Sequence, residues 1–431
     1  MIECENDPEL FDFSKNSTKE FVLALTRFRN LYEPVHGIVC VVICIFGLLT
    51  NLIHIVVLTR PQMRVTAVNS LMTTVAICDM GTMASYLIYI YHFVLMKSSH
   101  SCGNIFTYFW LAFLMTHMFL SICLHTTSLW LAVAMAFMRR MTLRVASLNS
   151  NWQRSMYARR FAIVIFISVF IASLPTLFIH EIVEFDSDWR PAGVCAHRYP
   201  QNYTERIYTM SFKAFSLKNS CRIFKLNLWG TGMLFKVIPC FLLMILSWSL
   251  MAKLRNAEKK RKLLIVNGKD NLKRITSDRT TVMLLAILVV FILTEFPQGI
   301  LAILNAIYTT DVHMYVYLTL GDVLDLLSLV NSSVNFVLYC LMSSRYRHTF
   351  CQVILPVRFC GKYLTSKEGM TTQYYGPSEF PARVRTASQL PDISVMMKKR
   401  SCAGDYRVEN SYCLISVSQN GSEQNMARRV A

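Results

Sequence analysis

Charge is scarce in this sequence. Asp, Glu, Lys and Arg make up 16% of its 431 residues and hydrophobic residues 54%, against about 25% charged in soluble domains. Turn signals are scarce where a soluble α/β protein would need them. The apolar residues instead gather into runs of roughly 20 or more, the length a helix needs to cross a bilayer. The 14 cysteines contain no CxxC pair, so zinc, iron–sulfur and dithiol redox chemistry have no support. Many lie inside the apolar runs, where a thiol is a small buried hydrophobe. Nothing pairs a nucleophile with a base or gathers ligands for a catalytic metal, so no enzyme is expected. Internal repeats and matched broken segments, the marks of a transporter or channel, are missing too. Residues 1–34 hold Glu3, Glu5, Asp7, Glu9, Asp12, Glu20 and Glu33 without an apolar leader pattern. No cleavable signal peptide is expected, and the first apolar run does the targeting.

What is present is a series of seven apolar runs, so the expected fold is all-α, a seven-transmembrane helix bundle. The spans are predicted at Pro34–Leu58, Val68–Met96, Phe106–Met138, Phe161–Ile179, Trp229–Ala252, Thr281–Ile307 and Met314–Leu341. The formal net charge of +18 falls between particular spans. Arg139, Arg140, Arg144, Arg154, Arg159 and Arg160 follow span three with no acid among them. Lys253, Arg255, Lys259, Lys260, Arg261, Lys262, Lys273 and Arg274 follow span five. Both loops read as cytoplasmic by the positive-inside rule, which places the N-terminus outside. Such charge contacts acidic lipid heads; no soluble basic domain exists to hold a nucleic acid. Asn16-Ser17-Thr18 and Asn202-Tyr203-Thr204 are glycosylation acceptors on the outer side, whereas Asn420-Gly421-Ser422 falls inside and should be silent.

Four segments follow from this reading: an extracellular stretch 1–33, the bundle 34–341, an amphipathic surface helix within 342–360, and a disordered cytoplasmic tail 361–431. The surface helix is read from Ser343-Ser344-Arg345-Tyr346-Arg347 onward, and Cys360 beyond it is a candidate for acylation. The Ser- and Thr-rich tail is plausible phosphorylation ground.

Polar residues inside the spans each need a partner or a role. Asn51, Asp79, Ser128, Asn331 and Asn335 come from spans one, two, three and seven. Packed together they form a polar core in which Asp79, Ser128, Asn331 and Asn335 could hold a hydrated sodium ion, the alternative being a satisfied network without an ion. Glu295 of span six and Asp322 and Asp325 of span seven lie in the outer halves of their helices. There they could attract a cationic ligand. Alternatively they are protonated, or paired with Lys236, His117 or His125. Pro175, Pro239 and Pro297 bend spans four, five and six.

Taken together, these positions resemble the rhodopsin-like class of G-protein-coupled receptors. The resemblance covers about residues 34–360. Asn51 and Asp79 match the span-one asparagine and the span-two aspartate. Arg139 matches the arginine that closes span three, and Pro175, Pro239 and Pro297 match the class prolines. Asn335 and Tyr339, in Asn335-Phe336-Val337-Leu338-Tyr339, match the span-seven motif. The departures are specific. Met138 precedes Arg139 where the class has an acid, which puts basal activity in doubt. Glu295 replaces the span-six tryptophan, Phe336 the span-seven proline, and Leu114 the usual span-three cysteine. Cys102 could still bridge to Cys195, with unusual spacing. Ser121 occupies the place of the aspartate that amine receptors use, so a small amine is not the expected ligand.

His125 to Val133 and Leu293 to Gly299 look like the corresponding stretches of invertebrate myosuppressin and FMRFamide-like peptide receptors, with sex peptide receptors as neighbours. The resemblance implies short neuropeptides ending in Arg-Phe-amide as ligands. It also implies an inhibitory-class G protein as partner, with arrestin and receptor kinases acting at the tail, and the plasma membrane as location. On that reading Glu295 or Asp325 receives the arginine, and Asp322 supplements them. Phe296, Tyr89, Trp110 and His125 line the cavity, and Glu181, Glu184 and Asp186 form an acidic rim. Arg139, Tyr339, Asn335 and Pro297 form the switch. A non-amidated peptide as ligand, or a receptor with high basal signalling, are the alternatives.

Overall fold

The computed structural model describes residues 4, 7–96, 102–144, 154–191, 193–265 and 274–354. Among them, seven helices are long and apolar enough to cross a membrane. Hydrocarbon offers no partner to a backbone amide, so each span must close its hydrogen bonds within itself as a helix. Side chains such as Val42, Leu49, Ile163, Phe170 and Trp248 stay exposed on the bundle's outside, where lipid can cover them.

Spans one and five begin earlier than the apolar runs predict. Span one is helical over Asn16–Leu58 and carries Pro34 within it, so the boundary drawn at residue 34 falls inside a continuous helix. Span two runs Ala67–Tyr89 and continues as a π-helix over Ile90–Leu95. Thr66 caps it, its hydroxyl accepting from Asn69 N at 3.3 Å. Span three is Tyr108–Arg144 and span four Ser155–Phe178. Span five is assembled from Ala214–Gly230, which is kinked at the non-helical residues 218–221, a π-helical turn Thr231–Val237, and Ile238–Ile265. Span six is Arg274–Ile307. Span seven opens with Thr309–Asp311 and a π-helical turn Val312–Tyr317 before Leu318–Met342. The span-five π turn stops just before Pro239, whose missing N–H cannot continue the ladder.

Spans four and five are joined by an antiparallel hairpin, β1 (His180–Trp189) and β2 (Glu205–Phe212). Tyr208 N donates to Phe106 O at 2.9 Å, tying β2 to the head of span three. The hairpin marks the end of the bundle that the charge distribution assigns to the outside. Asn16 and Asn202 are both exposed, and Asn202 adopts a positive φ of 67° in the turn before β2.

Close approach between spans depends on glycine at two places. A Cβ on Gly47 would lie 2.2 Å from Met83 Sδ, so a larger residue there would force the buried Met83 side chain to move. A Cβ on Gly299 would meet Val237 Cγ2 at 3.1 Å, which lets span six press onto the π turn of span five. At the opposite end, the helix Ser344–Ile354 turns away after Ser343. Its Tyr346 is fully buried against Val57, Leu58 and Tyr339. Cys360, the tail from 361 onward and Asn420 lie outside the described residues.

Candidate ligand and coupling sites

The three carboxylates near the hairpin end have separate environments. Glu295 is fully buried, and both its oxygens are taken. Lys236 Nζ donates to Oε2 at 2.7 Å, while His125 Nε2 and Asn331 Nδ2 donate to Oε1 at 3.1 and 3.2 Å. Lys236 also donates to Gln298 Oε1 at 3.1 Å, and Gln298 Nε2 donates to Ser328 Oγ at 3.1 Å. Spans three, five, six and seven are thus pinned at one point. The π turn of span five carries Lys236 into it, and such turns are frequent at functional sites because the extra residue re-aims a side chain. Of the partners weighed for Glu295, Lys236 and His125 reach it. His117 instead stacks on Tyr89 with ring centroids 5.1 Å apart.

Asp325 takes the hydroxyl of Tyr86. The side chain of Asp322 is 38% exposed, and His36 Nε2 lies 3.9 Å from its Oδ1. The expected aromatic lining divides in the same way. Tyr89 and Trp110 lie in an aromatic group at the hairpin end of spans two and three, Trp110 stacked on His92 at 3.5 Å. Phe296 packs instead beside Leu129, Val133 and Cys240 toward span five, with Phe241 at 6.4 Å. Phe296 directly follows Glu295, a step that rotates it about 100° around the helix. Of the acidic rim, Glu184 is held by Arg206 in an exposed pair at 3.2 Å.

The polar core assembles around Asp79, which is 1% exposed. Ser128 Oγ donates to Oδ1 at 2.9 Å and Asn335 Nδ2 to Oδ2 at 3.1 Å. Asn51 stands apart from the carboxylate, donating to Gly47 O and Ser332 O at 3.0 and 3.1 Å. A cavity of about 40 Å³ is lined by Asp79, Ser128, Asn331 and Asn335, room for two or three waters at about 15 Å³ each. Asn331 gives its amide N–H to Glu295, so the same side chain borders both sites.

At the opposite end, Met138 is fully buried and supplies no charge to its neighbour. The Arg139 guanidinium donates to the Tyr339 hydroxyl at 3.4 Å, linking spans three and seven. Pro297 lies inside span six, two residues beyond Glu295.

Cys102 is joined to Cys195, the pair expected from the sequence. Two other arrangements carried no such expectation, the first a second disulfide that joins Cys4 to Cys221 at the head of span five. The segment after Cys4 is held down twice more. Asp7 Oδ1 accepts from Lys225 Nζ at 2.5 Å and its Oδ2 from Thr310 N at 2.7 Å, while Asp311 Oδ2 accepts from Leu10 N and Phe11 N at 2.7 and 3.0 Å. Cys4, Cys102, Cys195 and Cys221 all fall on the expected outer side, so four cysteines there allow three pairings. Counting them by side of the membrane was the available signal. The other arrangement is a buried His54, whose Nδ1 shares a hydrogen bond with Tyr346 OH at 2.8 Å.

Seven spans, an aspartate in the second, an arginine closing the third and a tyrosine near the end of the seventh now stand together. The profile of serpentine type 7TM GPCR chemoreceptors, Srw, matches residues 38–356. The chain belongs to this family. It is therefore a multi-pass membrane receptor of the G-protein-coupled type, and that family is one of receptors rather than enzymes. G-protein coupled receptor dmsr-1 of Caenorhabditis elegans is 34% identical to this Srw-family receptor over 361 residues, spanning 76% of it and 70% of the relative. Sex peptide receptor of Drosophila melanogaster is 25% identical, across 78% of this receptor and 75% of its own length. FMRFamide receptor of the same fly is 24% identical, across 75% and 54%.

Proposed function

We propose that this receptor sits in the plasma membrane with its N-terminus outside, binds short amidated peptides of the Arg-Phe-amide type, and activates a heterotrimeric G protein of the inhibitory class. The observation that carries the reading is the charge at the hairpin end. Glu295 is buried and matched by Lys236, while Asp322 and Asp325 add negative charge nearby. A peptide with a free carboxylate would bring a further negative charge to that region. An amide terminus brings none, and an arginine beside it supplies the cation. Two relatives are named for a peptide, the sex peptide receptor and the FMRFamide receptor, which supports a peptide ligand here.

Signalling would be a shift between two packings of the bundle. Agonist must bind the cytoplasmically open state more tightly than the closed one, since equal affinity shifts nothing. The Arg139–Tyr339 contact ties spans three and seven where a G protein would dock, so opening must break or re-aim it. The oxygens of Asp79 and Ser128 suit a sodium ion in the polar cavity, and such an ion would favour the packing that encloses it. The surface helix Ser344–Ile354 would lie on inner-leaflet lipid, and arrestin and receptor kinases would act on the tail. The test is G-protein activation in cells expressing the full chain, comparing Arg-Phe-amide peptides with their free-acid twins. A response confined to the amides is expected. Equal responses would refute the amide reading and favour a non-amidated peptide.

A further inference from the structure

We infer that the ligand's arginine is received by Asp322, in a side cavity between spans one, two and seven, and not by the buried Glu295. This rests on the peptide reading above and goes further by assigning the cationic subsite. The cavity has a volume of about 650 Å³, within the range of small-ligand sites. Arg29, Glu33 and His36 of the lengthened span one form one wall, Tyr89 and Phe93 of span two a second, and Asp322 a third. Its shape depends on features that the apolar runs do not reveal. Span one stays helical well before Pro34, so Arg29 and Glu33 stand over the opening. The π-helical end of span two carries Phe93, Val94 and Leu95 toward it. A Cβ on Gly37 would meet Val94 Cγ1 and Leu95 Cδ2 at 3.0 Å, so glycine lets these walls close.

The charges within the cavity leave one carboxylate available. Arg29 Nε and Glu33 Oε2 lie 3.8 Å apart and offset each other. Asp322 Oδ1 is 3.9 Å from His36 Nε2, too far for a hydrogen bond, and His36 Nδ1 is occupied with Tyr32 OH at 3.1 Å. Both Asp322 oxygens can therefore meet the two parallel N–H groups of a guanidinium. Tyr89 and Phe93 line the same cavity and put aromatic rings beside such a cation. Glu295 offers no such opening, since its side chain has no solvent exposure and a guanidinium reaching it would have to displace Lys236.

The experiment measures G-protein activation by the full-length receptor carrying Asp322→Asn, Asp322→Glu or Glu295→Gln, each at measured surface level. The probes are Phe-Met-Arg-Phe-amide and its analogue with neutral citrulline in place of arginine. Loss of a charge-assisted bond predicts that Asp322→Asn lowers the potency of the arginine peptide about 10- to 100-fold. The citrulline peptide should lose clearly less than the arginine peptide on the same substitution, because it brings no cation for the carboxylate to pair with. Asp322→Glu should retain the preference for arginine, and Glu295→Gln should weaken both peptides alike. The proposal is overturned if Asp322→Asn weakens both peptides equally or neither, and equally if Glu295→Gln removes the arginine preference. A wild-type receptor deaf to amidated peptides would instead remove the reading on which the subsite rests.

Discussion

The Lys236–Glu295 pair should be the costliest polar interaction in the bundle to break from one side. The Glu295 side chain has no exposure and the Lys236 side chain 18%. Replacing Lys236 by Met leaves a carboxylate with no solvent access and only His125 and Asn331 as donors. Orphaning one member of a buried pair costs about 3–5 kcal/mol, and this variant should fall at the upper end. Glu295→Gln should fall at the lower end, because the ammonium keeps Gln298 and can extend toward solvent. The double variant Lys236→Met/Glu295→Gln removes both charges and should recover most of the loss, within about 1–2 kcal/mol of wild type. The assay is the thermal unfolding midpoint of the purified, detergent-solubilised receptor, read beside its surface level. A double variant as unstable as the sum of the singles would show that the two side chains do not interact, and would refute the reasoning.

Three further outcomes follow from the same geometry. Asp79→Asn should abolish any dependence of agonist affinity on sodium concentration while leaving affinity in sodium-free buffer within about 3-fold, a difference under about 0.7 kcal/mol; unchanged sodium sensitivity would place the ion elsewhere. Cys4→Ser or Cys221→Ser should free the strap held by Asp7 and Asp311, read as faster cleavage within residues 7–14 by added protease, with Cys4→Ser/Cys221→Ser no worse than either single. Tyr346→Phe removes the hydroxyl that His54 binds in a buried place and should cost about 1–3 kcal/mol in thermal stability, with His54→Leu/Tyr346→Phe restoring part of it. Equal stability of wild type and Tyr346→Phe would show that this bond contributes nothing.

The seven spans were legible because hydrocarbon demands long uninterrupted apolar runs, and the polar core because lipid makes each Asn and Asp conspicuous. Where the helices continue into a polar setting, that signal ends. Residues 16–33 alternate Lys, Glu, Arg and Asn with apolar residues yet extend span one as helix, because leaving the lipid removes the need for apolarity and not the helical backbone. Span five likewise turns helical before Trp229, at Arg222, just after a break at residues 218–221 where Asn219, Ser220 and Cys221 adopt positive φ. The π turns at residues 90–95, 231–237 and 312–317 were invisible, since one extra residue per turn does not alter an apolar run. Yet one of them aims Lys236. Lys236 was foreseen among several partners for Glu295, but choosing it required the rotation of span five. Phe296 packs toward span five and not beside Tyr89 and Trp110, because adjacency to Glu295 in sequence says little about a shared face on a helix. The link between Cys4 and Cys221 joins residues 217 apart, and no local pattern encodes such a pairing.

The most direct test of the account is nucleotide exchange on a purified inhibitory-class heterotrimer by the full-length receptor reconstituted in lipid. The two ligands are Phe-Met-Arg-Phe-amide and the same peptide with a free carboxylate. The account predicts low exchange without peptide, stimulation by the amide, and a potency at least about 10-fold lower for the acid, or about 1.4 kcal/mol. Equal potency of the two peptides, or exchange that is already maximal with no peptide present, would contradict it.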